Sequence, residues 1–403
     1  MQCLWLTLAD PDPATNGQLL YSRGLIDSVR DAGARLRVVG LRRPEKAPHG
    51  PHRDDIDWLL GEEVRRSLPR RLASPLPAVA LRAGSPGLRR AVVRSLCERR
   101  WDAVVFDSIC GGWALDAVQR HAGQSRHRPR LVYLAHNCEG TVARHIADRA
   151  SGVQRLWKAV DGLKAIRLER RLVRTADLVT SNTPDDVRSF RAMAGEMALR
   201  TPVELVMPGY DGPRVAVRAI DASLPRRAIL VGSLDWPPKR AAIESFLFAG
   251  AAILARAGVE LQVVGEAEES YLDGLRRRFP SVDFVGRVDD VRPAMARARL
   301  ALVPDLLGGF KLKGLDYVFN RLPVLAMRGA LPGMPLEDGR SIDLFDDHAG
   351  LARGIVARID DVATLQARQA AAYDACADRF DWSRVGRRLL DAIEAARPGR
   401  GVA

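Results

Sequence analysis

The sequence has 403 residues, of which 47% are hydrophobic and 28% charged, with a formal net charge of +13. That length exceeds what one hydrophobic core usually organises, so we expect two domains. No apolar run approaches the roughly 20 residues that span a bilayer, and no basic segment precedes the first apolar run, which predicts a soluble, unsecreted, cytoplasmic protein.

The cysteines and the basic residues limit the kinds of site and partner that the protein is expected to have. Five scattered cysteines without a CxxC pair indicate neither a zinc site nor a disulfide framework. The excess charge comes mainly from arginine clusters such as RRSLPRR and RLERRLVR, which indicate either anionic partners or only an arginine-rich genome. The sequence has no zinc-finger spacing and no RNA-recognition signature, so we expect no nucleic-acid partner.

Short apolar segments alternate with helical patterns along the chain, which predicts βαβ units and parallel sheets. In the first half the predicted strands are CLWLTLA, RLRVVGL, WDAVVFD, RLVYLAH, DLVTSN and VELVMP. In the second half they are RAILVG, ELQVVG, VDFVG, LALVP and LPVLAM.

The segment at 208–225, PGYDGPRVAVRAIDASLP, is rich in Pro, Gly and Asp without a clear period, and we predict an interdomain linker there. It separates an N-terminal domain, 1–207, from a C-terminal domain, 226–380. Residues 381–403 are predicted to form a C-terminal helix that packs back on the body. The predicted fold class is α/β, with two Rossmann-like doubly wound domains whose carboxyl strand edges face across a cleft.

Two polar residues end predicted strands of the first half, Asp107 after WDAVVFD and His136 after LVYLA. Side chains at the carboxyl edge of a parallel sheet are placed to meet ligands. The sequence leaves two interpretations of Asp107 open. In one, Asp107 faces a ligand site, where it orients His136 or binds an acceptor; in the other, it caps a helix that starts at SICGG. His136 lies either in a cleft or in a purely structural position.

The turn in RAILVGSLDWPPKRAAIESF follows a strand with Gly232 and Ser233 and brings Lys239 or Arg240 near a helix start. The unpaired backbone N–H groups of a helix start, with its partial positive charge, suit an anion. The alternative is a rigid Pro-containing loop with a surface charge.

A second turn of this kind follows LALVP in GGFKLKGLDYVFN. Gly308 and Gly309 allow a tight turn, Lys311 and Lys313 add full positive charges near the helix start, and Asp316 can accept hydrogen bonds from sugar or ribose hydroxyls. Basic groups for a diphosphate and a carboxylate for hydroxyls suit a sugar nucleotide. The alternative is a glycine turn with two solvated lysines.

These segments resemble the nucleotide-binding domain of GT-B glycosyltransferases, and most closely the retaining glycosyltransferases of family four. VGSLDWPPK resembles the family's glycine-to-lysine loop, with Lys239 at the lysine that grips the donor diphosphate and Ser233 where many members have an arginine. The segment from LALVP to LPVLAM resembles the family's two-glutamate segment. There Asp316 stands at the ribose-binding glutamate and Gly308 at the glutamate near the donor sugar, which leaves the sugar contacts open.

The first half carries further resemblance to the family. DPDPATNGQLLYSRGL, with Asn16 and Gly17, is similar to the glycine loop beside donor phosphate and acceptor, although only one glycine of the usual pair is present. In LVYLAHNCEGTVARH the resemblance places His136 at the cleft near the transferred sugar, with Asn137 and Glu139 in the same acceptor or donor loop. Glu169 and the SNTPDD turn are expected to be scaffold.

We expect transfer of a sugar from a nucleoside diphosphate sugar to an acceptor hydroxyl, with retention implied by the resemblance and no metal or other cofactor. The acceptor is a carbohydrate, a glycolipid or a small molecule. Cell-surface polysaccharide, lipopolysaccharide or glycolipid assembly and natural-product tailoring all remain open. The alternative enzyme is a sugar-nucleotide epimerase or hydrolase on the same fold.

The segment RLWKAVDGLKAIRLERRLVR at 155–174 is basic and amphipathic. It is either a helix that packs on the core with a solvated charged face, or a surface that binds an anionic membrane peripherally. A basic binding or membrane-docking protein without enzymatic activity is the non-enzymatic alternative.

Overall fold

The chain divides into two compact units, one formed by Met1–Gly209 with Asp381–Ala403 and the other by Tyr210–Phe380. The segment predicted as a linker therefore belongs mostly to the second unit, since Tyr210 begins it. The ranges that the computed structural model describes are residues 1–43, 54–148, 152–234 and 236–396.

Each unit contains one sheet of parallel strands. Within the described residues the strands are Gln2–Ala9 (β1), Arg35–Leu41 (β2), Asp57–Gly61 (β3), Ala103–Asp107 (β4), Arg130–Ala135 (β5), Leu178–Ser181 (β6), Val203–Leu205 (β7), Arg227–Val231 (β8), Glu260–Val264 (β9), Val282–Gly286 (β10), Leu300–Val303 (β11), Val324–Met327 (β12) and Asp343–Phe345 (β13).

Helices alternate with these strands in both units. The α-helices are Gly17–Asp31 (α1), Leu68–Ala73 (α2), Ala78–Ala83 (α3), Pro86–Glu98 (α4), Leu115–Gln124 (α5), Glu139–Asp148 (α6), Gly152–Thr175 (α7), Pro184–Glu196 (α8), Pro237–Arg256 (α9), Glu269–Arg278 (α10), Arg292–Ala296 (α11), Leu312–Phe319 (α12), His348–Arg358 (α13), Val362–Cys376 (α14) and Trp382–Ala395 (α15), and Ile109–Ala114 is a 3₁₀ helix.

The two sheets share one strand order. The first sheet runs β3-β2-β1-β4-β5-β6-β7 and the second runs β10-β9-β8-β11-β12-β13. All strand pairs in both sheets are parallel. In each unit the strand order reverses beside the first strand, at β1/β4 and at β8/β11, and ligands of such sheets bind at the carboxyl ends of the strands there.

The strands form because they are buried on both faces. In β1, Cys3 and Trp5 belong to the core on one side of the first sheet, while Leu4 and Leu6 belong to the core on the other side. All eleven predicted strand segments contain strands, which confirms the α/β class. Two strands were not predicted, β3 and β13, and both lie at sheet edges.

Polar residues begin the helices. Asn16, Ser85 and Thr183 each accept a hydrogen bond from a backbone N–H of the helix that follows, at α1, α4 and α8. Pro184 is the first residue of α8, a position where the missing N–H of proline has no helical partner to lose.

The terminal helix α15 packs on α1, in the first unit. The two helices approach closely at glycines: a β-carbon on Gly386 would lie 2.1 Å from the Ser28 carbonyl oxygen, and one on Gly24 would lie 2.1 Å from the Trp382 indole. Residues 397–403 of the predicted helix lie outside the described residues.

Candidate functional site

The site in the second unit lies where its strand order reverses. Ser233 follows the end of β8 by two residues, and Asp305 follows the end of β11 by two residues. Lys311 directly precedes α12, in the N-cap position, and its side chain caps no backbone N–H of that helix.

Two lysines gather around one buried carboxylate in this loop. The Lys313 ammonium donates to Oδ1 of Asp305, and the Lys311 Nζ lies 3.7 Å from Oδ2 of Asp305. Lys311 Nζ also donates to the Leu307 carbonyl oxygen at 2.8 Å. Asp305 is 2% exposed and Lys311 8% exposed, so these charges sit in a largely dehydrated place. Because two cations surround one anion there, the cluster keeps an excess of positive charge.

Electrostatics in the cluster agree with this excess. Burial lowers the pKa of Lys311 to about 8; Asp305 opposes that shift, and the charges of Lys313 and Lys239 add to it. Burial alone would raise the pKa of Asp305, but Lys313 and Lys311 more than offset it and hold that pKa below its usual value. The charge of Lys239 acts on both groups, so it lies within electrostatic range of the cluster.

Two glycines shape the loops around the lysines. Gly308 has a φ of +101° and Gly232 a φ of +148°, both in the region that favours glycine. The chain also comes close at Gly265, where a β-carbon would lie 2.0 Å from the Gly232 carbonyl oxygen. Gly309 continues the turn before Lys311.

Arg240 lies apart from the lysines although it is in the first turn of α9. Its guanidinium lies over the Tyr271 ring at 4.3 Å, its Nε donates to the Leu234 carbonyl oxygen at 2.5 Å, and its Nη2 lies 3.7 Å from Glu268. Of the predicted basic pair, Lys239 is therefore the one that joins the cluster.

Asp316, the predicted ribose-binding carboxylate, lies one turn beyond Lys313 on α12. It is hydrogen-bonded to the Tyr210 side chain, and burial, opposed by that bond, raises its pKa to about 6. Tyr210 itself stacks on Phe319, with ring centroids 4.7 Å apart.

In the first unit, Asp107 and His136 meet where the order of the first sheet reverses. Their side chains are joined by a hydrogen bond of 2.6 Å between Asp107 Oδ1 and His136 Nε2. Trp5 donates its indole N–H to Asp107 Oδ2 at 3.0 Å, and Ser22 adds a side-chain hydrogen bond. Burial raises the pKa of Asp107, but His136 and the donors outweigh it and keep that pKa below its usual value.

These contacts decide between the two interpretations of Asp107. The interpretation as an N-cap is wrong, because Ser108 caps the 3₁₀ helix by accepting from the Cys110 N–H at 3.2 Å. Asp107 instead orients the His136 ring, whose other neighbour is the Tyr21 ring at 5.0 Å in an edge-on arrangement.

The predicted loop residues of the first unit have mixed surroundings. Asn16 caps α1 by accepting from the Leu19 N–H at 3.1 Å, and Gly17, the first residue of α1, has open space around it. Asn137 follows His136 directly and is half-buried. Asn16 therefore has a structural role, and no close approach at Gly17 requires a glycine.

Glu139 begins α6 within a cluster of buried carboxylates. Its backbone N–H donates to Glu169 at 3.0 Å, and the Cys138 N–H donates to Asp186 at 3.1 Å, so side chains from α7 and α8 cap α6. Burial, with the charges of Asp186 and Asp161, raises the pKa of Glu139 to about 7. Burial, with the charge of Glu139, raises the pKa of Glu169 to about 8.

Glu139 also lines a cavity of about 270 Å³ between α6, α7 and the α2–α3 segment. Trp157, Asp161 and Lys164 line it as well. Lys164 donates to the carbonyl oxygens of Arg71 and Leu72, which end α2.

Within the described residues, no group of three or more His, Cys, Asp or Glu side chains is arranged to hold a metal ion. No helix in the described part of the chain combines the length and the apolar character needed to cross a bilayer.

Sequence reasoning missed Asp305, Trp5, Tyr21 and Ser22. Asp305 had a usable signal, since it is an acidic residue directly after a strand and before a glycine turn. The other three carry no such signal, because they touch Asp107 or His136 only through the folding of β1 and α1 against β4 and β5.

A known protein family matches most of the second unit. Residues 225–361 match the profile of the family described as Glycosyl transferases group 1. The matched range contains Ser233, the three lysines, Asp305 and Asp316.

Similar solved structures cover nearly the whole chain. Sucrose-phosphate synthase from Thermosynechococcus elongatus is 16% identical with a TM-score of 0.73, covering 98% of both chains. WaaG, a glycosyltransferase involved in lipopolysaccharide biosynthesis, is 16% identical with a TM-score of 0.66, covering 98% of this chain and 100% of its own. Anabaena HepE, solved in complex with UDP and glucose, is 18% identical with a TM-score of 0.64 over the same shares.

A curated protein named probable DNA ligase, from Anaeromyxobacter sp. (strain Fw109-5), is 30% identical over 194 residues, which are 46% of this chain. The chain spans only 36% of the ligase's length. Residues 225–361 therefore match a group 1 glycosyltransferase domain, and the whole chain shares the GT-B fold of the similar structures.

Proposed function

We propose that the protein transfers a sugar from a nucleoside diphosphate sugar to an acceptor hydroxyl, with retention at the anomeric carbon. The observation that carries the proposal is the buried cluster of Lys311 and Lys313 on Asp305, within the field of Lys239, at the reversal point of the second sheet. The complexes of HepE with UDP and with UDP-glucose support this class of donor.

The lysines would act on the leaving group. Breaking the anomeric C–O bond leaves its electron pair on the diphosphate, and negative charge grows there as the bond lengthens. Lysines 239, 311 and 313 and the N-terminus of α12 are cationic before the reaction starts, so they stabilise that charge without reorganising. Ser233 and the glycine turn at Gly308 and Gly309 supply backbone N–H groups to the same anion.

Retention would follow from attack on the face that the diphosphate leaves. The acceptor oxygen forms its bond to the anomeric carbon as the C–O bond to phosphate breaks, and its proton passes to the departing phosphate oxygen. Asp316 would bind the ribose of the donor. No metal is required, since the lysines carry the needed charge, and we expect chelation by EDTA to leave turnover unchanged.

In the first unit, His136 would contact the transferred sugar or the acceptor, oriented by Asp107. The 2.6 Å hydrogen bond to the buried carboxylate holds the ring in one orientation at the carboxyl edge of the sheet. Asn137 and Glu139 would bind acceptor hydroxyls in the segment that follows.

The acceptor is proposed to be a carbohydrate or glycolipid of cell-surface polysaccharide or lipopolysaccharide assembly, met at the cytoplasmic membrane face. Leu156 and Leu163 are seven residues apart on α7 and 67% and 54% exposed, with Arg155, Lys158 and Arg167 on the same helix. An exposed apolar pair among cations suits an anionic lipid surface. Salt-sensitive binding to phosphatidylglycerol vesicles but not phosphatidylcholine vesicles, lost in Leu156→Ser/Leu163→Ser, would support this location.

The donor is tested by binding UDP, GDP, dTDP, CDP and ADP to the whole chain, followed by the matching sugar nucleotides. Stabilisation by one nucleoside diphosphate, lost in Lys311→Glu/Lys313→Glu, supports the proposal. The control is Arg297→Glu, a charge reversal at an exposed position of the same unit. Binding of no nucleoside diphosphate overturns it, and donor turnover without any acceptor would instead favour a hydrolase or epimerase.

A further inference from the structure

Trp236 lies against Gly308, the first of the two glycines in the loop that leads to Lys311 and Lys313. A β-carbon on Gly308 would lie 3.5 Å from Cζ3 and 3.7 Å from Cη2 of the Trp236 indole. Gly308 has a φ of +101°, so a residue with a side chain would be strained there. The indole edge therefore lies in van der Waals range of the position that a side chain at 308 would take.

The same two loops hold the lysines. The Trp236 carbonyl oxygen accepts from the Lys239 N–H at 3.0 Å, which places the indole directly before the first turn of α9. Gly308 precedes Lys311 by three residues in the other loop. A diphosphate held by these lysines would consequently have an aromatic wall at one end, and the Trp236 side chain is only half-buried, so part of it is open to contact.

We propose that Trp236 is a specificity-determining residue that packs against the donor's sugar ring. The inference rests on the proposed nucleoside diphosphate sugar as donor and adds the surface that reads its sugar. An aromatic ring has a negative face and attracts the weakly positive C–H bonds of an apolar sugar face. The preferred substrate class is therefore a donor whose neutral pyranose ring exposes C–H bonds on one side.

The proposed roles of these residues, taken in chain order, assign the indole to the sugar end. Gly308, with Trp236, lies before the two lysines, while the proposed ribose carboxylate, Asp316, lies after them on α12. A donor whose ribose meets Asp316 and whose diphosphate meets the lysines has its sugar on the side of Gly308. Because residue 308 is a glycine, the surface that would contact the sugar there is the Trp236 indole and not a carboxylate.

The test compares two ligands that differ only in the sugar. Isothermal titration measures binding of the nucleoside diphosphate found by the panel and of its glucose ester, UDP with UDP-glucose or GDP with GDP-glucose. The variants are Trp236→Ala and Trp236→Phe in the whole chain. The control is Phe248→Ala, an exposed aromatic on the same helix α9, roughly 16 Å from its start.

We expect Trp236→Ala to lower the affinity for the glucose ester about tenfold and the affinity for the nucleoside diphosphate less than about twofold. Trp236→Phe keeps most of the difference, and Phe248→Ala changes neither ligand. Equal weakening of both ligands by Trp236→Ala, or weakening of neither, overturns the inference while leaving the proposed donor intact. Failure of the unmodified chain to bind any nucleoside diphosphate is the separate result that overturns the proposed function.

Discussion

The two units share a strand order and each has a buried carboxylate where that order reverses, but the partners of the two carboxylates differ. In the first, Asp107 ends β4 and is surrounded by His136 and by neutral donors from Trp5 and Ser22. In the second, Asp305 follows β11 and is surrounded by lysines.

The difference shows that topology places a carboxylate at this point and that the loops decide its chemistry. The partner of Asp107 comes from the neighbouring strand, at the end of β5, and carries at most one positive charge. The partners of Asp305 come from its own loop and the helix after it, so two fixed charges exceed the one they neutralise. The first unit thus suits proton or hydroxyl chemistry, and the second suits a polyanion.

Removing a lysine from the second unit is expected to have the largest effect on turnover. Lys313→Ala should lower kcat/KM by about 10²–10³, because a preorganised cation at the leaving group is lost. It should also lower the melting temperature, since Asp305 keeps one buried cation instead of two. Steady-state kinetics and thermal melts measure both.

The double variant Lys313→Ala/Asp305→Asn separates the two consequences. Removing both charges should recover much of the melting temperature without recovering turnover. If turnover returns together with stability, Lys313 only balances Asp305 and the polyanion site is not there.

A second variant tests the first unit in the same way. Asp107→Asn should lower kcat by about 10²-fold, because His136 loses the carboxylate that orients its ring. His136→Ala should cost a similar factor, and the double variant should cost little more, since the two side chains act as one unit. The control Asp116→Asn, with a side chain 69% exposed, should leave kcat unchanged. Additive losses for Asp107 and His136 would contradict the pairing.

The pH dependence of donor binding tests the carboxylate site of the second unit, where the partners of Asp305 are lysines. The pKa of Lys311 is lowered to about 8, so its charge is lost as the pH rises through that value. Affinity for the nucleoside diphosphate should therefore fall up to about tenfold between pH 7 and pH 9. Lys311→Arg should remove this dependence, because arginine stays protonated. The same pH dependence in Lys311→Arg would show that another group titrates.

The smallest expected effect concerns stability in the first unit. Glu169 and Glu139 have pKa values raised to about 8 and about 7, so the folded chain holds protons that an unfolded chain would release. The two glutamates therefore add to the free energy of unfolding. This contribution is full below the ordinary carboxyl pKa and is lost as the pH rises through 7 to 8.

Glu169→Gln should remove part of that loss, because the amide oxygen can still accept from the Glu139 N–H and no charge forms. At pH 8.5 we expect a melting temperature roughly 2–4 °C above that of the unmodified chain, and little difference at pH 5. A variant that melts lower at pH 8.5 would mean that Glu169 is ionised there and needed as an anion.

Much of the fold was predictable because its strands are short apolar runs bounded by turn residues. β1 and β8 have this pattern because both faces of their sheets are covered by helices. β3 and β13 were missed because they are edge strands, only half-buried over much of their length, so their sequences carry little of that pattern.

Parts of the site were also predictable, for a local reason. Lys311 and Lys313 follow a glycine turn after a strand, and everything needed to place them at a helix start lies within a few residues. Arg240 satisfied the same local rule, yet its side chain turned to Tyr271, which lies 31 positions away in the chain.

The sequence by itself determined the two parallel sheets, their carboxyl-edge loops and the residues in those loops, because these depend on neighbouring residues and on burial period. Only the tertiary structure decided which charges meet. Asp107 meets His136 from the neighbouring strand, α15 returns to α1 from the far end of the chain, and Trp236 meets Gly308 between two loops. Such contacts depend on how separate elements pack, which no local pattern records.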